Sequence, residues 1–94
     1  MIKHNVYFQG GVQSLGFTQS QDNSSVGVMA PGEYTFGTEA AERMTVVKGA
    51  LTIRRKSDSD WMTFNSGESF EVEANSSFDL KVEASTAYLC EYLY

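Results

Sequence analysis

Apolar residues recur at alternate positions in short runs along the chain. The run Phe78, Asp79, Leu80, Lys81, Val82, Glu83 alternates strictly. Alternation of this kind places one face of a strand against a core and the other in solvent. The same reading gives strands at residues 6–8, 12–18, 25–30, 33–38, 61–64, 69–73, 78–83 and 86–94. Gly16 inside the second run marks either a separate strand or a bulged continuation of the first. Residues 44–47 and 50–54 flank Lys48 and Gly49 and read as a hairpin. Turns fall at 19–25, at Pro31 and Gly32, and at 56–60, 65–67 and 74–77, where Gly, Asn, Asp and Ser cluster. The best helix candidate is residues 39–43, one turn long. Roughly eight to ten short strands at this spacing predict an all-β sandwich or barrel.

At 94 residues the chain predicts one domain, spanning residues 1–94. A domain this small is often helped by self-association. No apolar run approaches the length of a membrane span. The net charge of −5 repels a phosphate backbone and argues against nucleic acid as a partner. Arg54, Arg55 and Lys56 form the one basic cluster and read as a solvated turn. Cys90 is the only cysteine. It lies in an apolar stretch with no histidine near it in sequence, so it reads as a small buried hydrophobe. Residues 5–10 resemble a protease recognition site. His4 replaces the leading glutamate, however, and the run passes straight into strand-like sequence, so it is read as native.

Residues 32–49 have the rhythm of the first motif of a metal-binding cupin barrel: glycine, a strand, two histidines, a glutamate, six residues, glycine. Glu42 and Gly49 keep the last spacing, but Phe36 and Thr38 occupy the histidine positions. A second motif counted from Gly67 places Glu73, Asn75 and Phe78 in the remaining slots. A lone carboxylate cannot hold a transition metal, which needs several converging ligands. The expectation is therefore no metal and no cofactor. His4, the only histidine, is near a terminus, so histidine acid–base chemistry is not expected either.

Alternation then predicts the inward rows. Tyr34, Phe36 and Thr38 form one; Glu42, Met44 and Val46 a second. Phe78, Leu80 and Val82 form a third; Tyr88, Cys90 and Tyr92 a fourth. A pocket so lined is aromatic with a few polar groups, suited to a ligand with flat rings and hydroxyls. The alternative is plain core packing, with Glu42 exposed on a short helix. The residues alone favour packing.

Residues 25–39 and 42–51 resemble a known family. So do Asn5, Tyr7 and Phe8, residues 14–17, and the closing residues 88–93. The chain is similar to the small single-domain cupins called pyrimidine/purine nucleoside phosphorylases. The resemblance implies a cupin-type β-barrel, a double-stranded β-helix or jelly roll. It implies a cytoplasmic homodimer that splits pyrimidine and purine nucleosides with phosphate, giving free base and ribose 1-phosphate. The partners would be nucleosides and inorganic phosphate. The chemistry of such a reaction suggests roles, which the family itself does not supply here. Glu42 could grip the ribose hydroxyls, and Met44 could lie against the sugar. Tyr34, Phe36, Thr38, Phe78, Tyr88 and Tyr92 could line the base site, since stacking tolerates every base. Arg43 and Lys48 are candidate phosphate donors. The reading from another class is a non-catalytic barrel that binds a small ligand or dimerises.

Overall fold

The structure, a computed structural model, describes residues 1–93. The strands in chain order are β1 (Lys3–Tyr7), β2 (Val12–Gln19), β3 (Asp22–Met29), β4 (Gly32–Gly37), β5 (Ala41–Lys48), β6 (Ala50–Arg55), β7 (Met62–Asn65), β8 (Ser69–Val72), β9 (Ser77–Val82) and β10 (Thr86–Leu93). They form a six-stranded sheet, β1-β2-β3-β10-β5-β8, and a four-stranded sheet, β4-β9-β6-β7. Every pairing is antiparallel. The core lies between the sheets. Val12, Met29, Met44, Val46, Phe70 and Val72 come from one, and Leu51, Ile53, Phe78, Leu80 and Val82 from the other. Each occupies the inward phase of its strand's alternation.

Several expectations change. Among the described residues the ladders of the two sheets do not join into a closed barrel; β1 and β8 remain edges of one sheet, β4 and β7 of the other. Residues 39–43 form no helix, because β5 begins at Ala41. An isolated single turn has too few hydrogen bonds to offset its nucleation cost. The strand instead gains ladders on both sides, to β10 and β8. Nor do β5 and β6 form a hairpin. Lys48 and Gly49 carry the chain from one sheet to the other, and β6 pairs with β7 and β9. Gly49 has φ +107°, and a Cβ there would collide with Thr86 Oγ1, so both sterics and dihedral require glycine. The first strand starts at Lys3, and Phe8 belongs to a following 3-10 turn. β2 is a separate strand whose ladder to β3 passes Gly16 without a bulge. The turn between them takes two residues, Ser20 and Gln21, both at positive φ, as a tight hairpin of matching twist demands. Among the described residues no helix is long and apolar enough to cross a membrane.

Candidate active site

The sandwich is open at the end where β1, β2 and β3 meet the start of β5 and the end of β10. A broad cavity of about 920 Å³ lies there. Below it is a narrow one of about 120 Å³ between the sheets. Tyr7, Gly37, Glu42 and Tyr92 line both.

Strand register builds the narrow cavity. On β5, Glu42 stands opposite Tyr92, and Met44 opposite Cys90. On β3, Ser25 stands opposite Cys90, and Gly27 opposite Tyr88. Gly27 in turn faces Ser14 on β2. A Cβ at Gly27 would lie 2.6 Å from the Tyr88 hydroxyl, so the glycine makes room for Tyr88 to reach across toward Ser14. The opposite sheet contributes Phe36 and Phe78, whose ring centroids are 6.1 Å apart in a stacked arrangement. Tyr7 of β1 meets Phe36 edge-on at 5.5 Å, which ties the N-terminal strand to the far sheet at the mouth.

The polar groups here are loosely engaged. The Cys90 thiol donates to Glu42 Oε1 at 3.5 Å. Tyr92 Oη and Ser25 Oγ are also 3.5 Å apart. Burial pushes the Glu42 carboxyl above the usual carboxylate range, and the Cys90 hydrogen bond partly opposes this. Burial, then the charge of Glu42, pushes the Cys90 thiol far up, so it is a neutral donor rather than a nucleophile. Burial raises the Tyr88 hydroxyl and takes that of Tyr92 to about 12. The cluster thus presents one carboxyl acceptor and two neutral phenols beside aromatic rings.

Of the residues predicted for the site, the structure brings Phe36, Glu42, Met44, Phe78, Tyr88 and Tyr92 together around the narrow cavity. Four lie elsewhere. Tyr34 is buried, but its hydroxyl donates to the Ala30 carbonyl at 2.6 Å. Thr38 is buried with its hydroxyl donating to the Glu73 carbonyl at 2.6 Å and accepting from Ser76 N–H at 3.0 Å. Both tie loops to the sandwich, and neither lines either cavity. Arg43 follows Glu42 on the strand and so faces outward, where it pairs with Glu71 at 3.2 Å. Lys48 is exposed at the other end of β5, roughly 20 Å along the strand from Glu42 at about 3.3 Å per residue. The pairing of Arg43 and Lys48 with Glu42 as a phosphate site is not what the structure assembles.

Tyr7, Ser14 and Ser25 are lining residues that the alternation of apolar residues does not reveal, whereas Cys90 falls in its expected inward row. The same alternation does not reveal Lys3, Asn5 and Asn23 at the mouth. The period-two phase of Lys3, Asn5 and Tyr7 is the available signal. A first strand starting at residue 6 leaves Lys3 and Asn5 outside that pattern. Among the described residues no group of three or more His, Cys, Asp and Glu converges as a metal site.

The family model described as pyrimidine/purine nucleoside phosphorylase matches residues 2–92. A relative of that name from Vibrio cholerae serotype O1 is 71% identical over 93 residues, covering 99% of this chain and 98% of the relative. One from Vibrio vulnificus is 67% identical, covering 99% and 100%. A crystal structure of a protein of unknown function from Vibrio parahaemolyticus superposes with a TM-score of 0.96 at 67% identity, covering 99% of each chain. A cupin superfamily protein from Desulfitobacterium hafniense gives a TM-score of 0.72 at 15% identity, covering 87% of this chain and 76% of that one. That last likeness is of fold alone.

Proposed function

The chain belongs to the pyrimidine/purine nucleoside phosphorylase family, and from that premise we propose that it cleaves nucleosides with inorganic phosphate at the cavity lined by Glu42. A phosphate oxygen forms a bond to C1′ as the C1′–N bond breaks. The bonding pair leaves with the base. The proton carried by hydrogenphosphate ends, in the net reaction, on the base. The products are free base and ribose 1-phosphate.

The observation that carries this reading is the position of Glu42 where the wide and narrow cavities join. A carboxylate removed from bulk water is a strong acceptor for paired ribose hydroxyls. Holding the sugar there, with phosphate at one face of C1′, lowers the barrier by positioning. Phe36, Phe78 and the two phenols offer ring faces to the base. Stacking does not distinguish purine from pyrimidine, whereas a site hydrogen-bonded to one base edge would. No step in this scheme calls on a metal or an organic cofactor.

The reading includes a homodimer acting in the cytoplasm. Leu15, Val26 and Val28 support the dimer. They stand about half exposed, with Leu15 opposite Val26 in the ladder of β2 and β3, an apolar face that a second copy would cover. Sedimentation at several protein concentrations measures it, and a monomer throughout would remove the dimer from the reading.

The deciding assay is release of free base from uridine and adenosine, with and without phosphate, alongside detection of ribose 1-phosphate. Phosphate-dependent release from both is the expected result. Release without phosphate makes the protein a hydrolase. No release from any nucleoside in a panel returns it to a non-catalytic module that binds a small ligand.

A further inference from the structure

Phosphate must enter the cavity as an anion, and Glu39 and Glu42 already line that space. A cation facing them would offset that repulsion. The chain has seven lysines and arginines, and six of them lie elsewhere. Arg43 is paired outward with Glu71. Lys48 is exposed at the far end of β5. Arg54 and Lys81 both rest on the Trp61 ring, at 4.9 and 4.1 Å. Arg55 is held by Asp58 at 2.9 Å. Lys56 lines grooves beside Arg55, away from both cavities. His4 is directed to Gln13 at 3.0 Å, out of phase with the cavity-lining residues of its strand. Lys3 is the remaining lysine or arginine, and it lines the wide cavity, as does Met1 with its terminal amine.

We propose that Lys3 is a phosphate-binding residue of this site, and that β1 is the element that supplies the anion subsite. This rests on the phosphorolytic reading above. Lys3, Asn5 and Tyr7 share one phase of β1, and all three line the wide cavity. Lys3 stands opposite Gly16, where the partner strand has no side chain between the ammonium and the cavity. Asn5 is held beside it by donating to Ser14 Oγ at 3.4 Å. Tyr7 anchors the strand to the far sheet through Phe36. The long, flexible stem of a lysine lets its charge follow the phosphate as the new bond to C1′ forms, a role in which a point charge serves.

The test is a titration of inorganic phosphate into the full chain, followed by phosphorus NMR, for the wild type, Lys3→Gln, Lys3→Arg and Lys56→Gln. Matched thermal melts check that each variant is folded. In the expected result Lys3→Gln weakens phosphate binding about ten-fold or more, the effect of losing one charge-assisted contact. Lys3→Arg keeps most of the affinity, and Lys56→Gln leaves it unchanged. In turnover, Lys3→Gln raises KM for phosphate by a similar factor and leaves KM for nucleoside within about two-fold. The proposal is overturned if the wild type shows no saturable phosphate binding. It is equally overturned if Lys3→Gln binds phosphate like the wild type, or if the loss appears with Lys56→Gln instead. Lys3-dependent phosphate binding without base release would sink the phosphorylase reading and leave the anion subsite standing. Phosphate-dependent turnover indifferent to Lys3 would do the reverse.

Discussion

Thr86 and Glu42 sit at opposite ends of the sandwich, Thr86 at the start of β10 and Glu42 beside Tyr92 near its end. Both place polar atoms inside, but they are satisfied differently. Thr86 is 1% exposed. Its hydroxyl accepts from Ala50 N–H at 3.2 Å, and the carbonyls of Ala84 and Ala50 lie 2.9 and 3.0 Å away to take its proton. Every partner is backbone, so the hydrogen-bonding capacity is consumed by the fold. At Glu42 the nearest partner is a thiol at 3.5 Å. A carboxylate has about four acceptor sites, and one weak donor leaves most of them for a ligand. Buried polarity engaged with backbone is architecture; buried polarity engaged loosely with other side chains, beside a cavity, is a site. The same distinction separates Tyr34 and Thr38 from Tyr92.

The contrast is tested hardest at the corner. Gly49→Ala adds a Cβ against Thr86 at a left-handed φ. Strain and overpacking together should cost roughly 2–4 kcal/mol, read as a lower midpoint in urea. Turnover per folded molecule should not change. A variant as stable as the wild type would mean that the corner is not rigid.

Glu42→Gln is the converse. Turnover should fall by about 100-fold, a size typical of removing one transition-state contact, while the protein stays folded. Its stability should rise at neutral pH. Burial raises the carboxyl's folded-state pKa above its unfolded value, so folding favours the protonated form. The stability linked to that proton is complete below the unfolded pKa and is lost as pH rises through the folded one. Melting curves of the two proteins should therefore converge in acid and separate toward pH 8, with the glutamine variant higher. Convergence at pH 8 and separation in acid would reverse the assignment. Thr86→Val sharpens the comparison from the other side. It strands the Ala50 amide and should cost about 2 kcal/mol with no change in KM.

Alternation made the inward rows legible. Met44 and Val46, Phe78 to Val82 at every second residue, and Tyr88 and Cys90 are buried where a period of two puts them. That places most of the narrow cavity's walls from sequence. The partners of each strand were not legible, because pairing is decided by residues far apart in the chain. Residues 44–54 look like a hairpin locally, yet β5 gains more by lying between β10 and β8 than by folding back on β6. The fates of Tyr34 and Thr38 were hidden for a related reason. Their inward direction follows from phase, but the carbonyls of Ala30 and Glu73 that engage their hydroxyls are brought there only by the finished loops. Lys3 is not legible as a site residue, because the first strand begins earlier than its apolar residues suggest.

Tyr92→Phe carries the smallest expected effect and separates the two classes most finely. Its hydroxyl meets Ser25 Oγ at 3.5 Å, at the outer limit of a hydrogen bond. Removing it should change stability by less than about 0.5 kcal/mol. Burial holds its pKa near 12, so it remains a neutral donor through the usual assay range. If that donor faces a bound nucleoside, the variant should raise KM for nucleoside about three-fold and leave the pH–rate profile between pH 7 and 10 unaltered, since the hydroxyl does not titrate there. A loss of stability near that expected for Thr86→Val, with KM unmoved, would place Tyr92 with the corner residues and shrink the site to Glu42 and the rings around it.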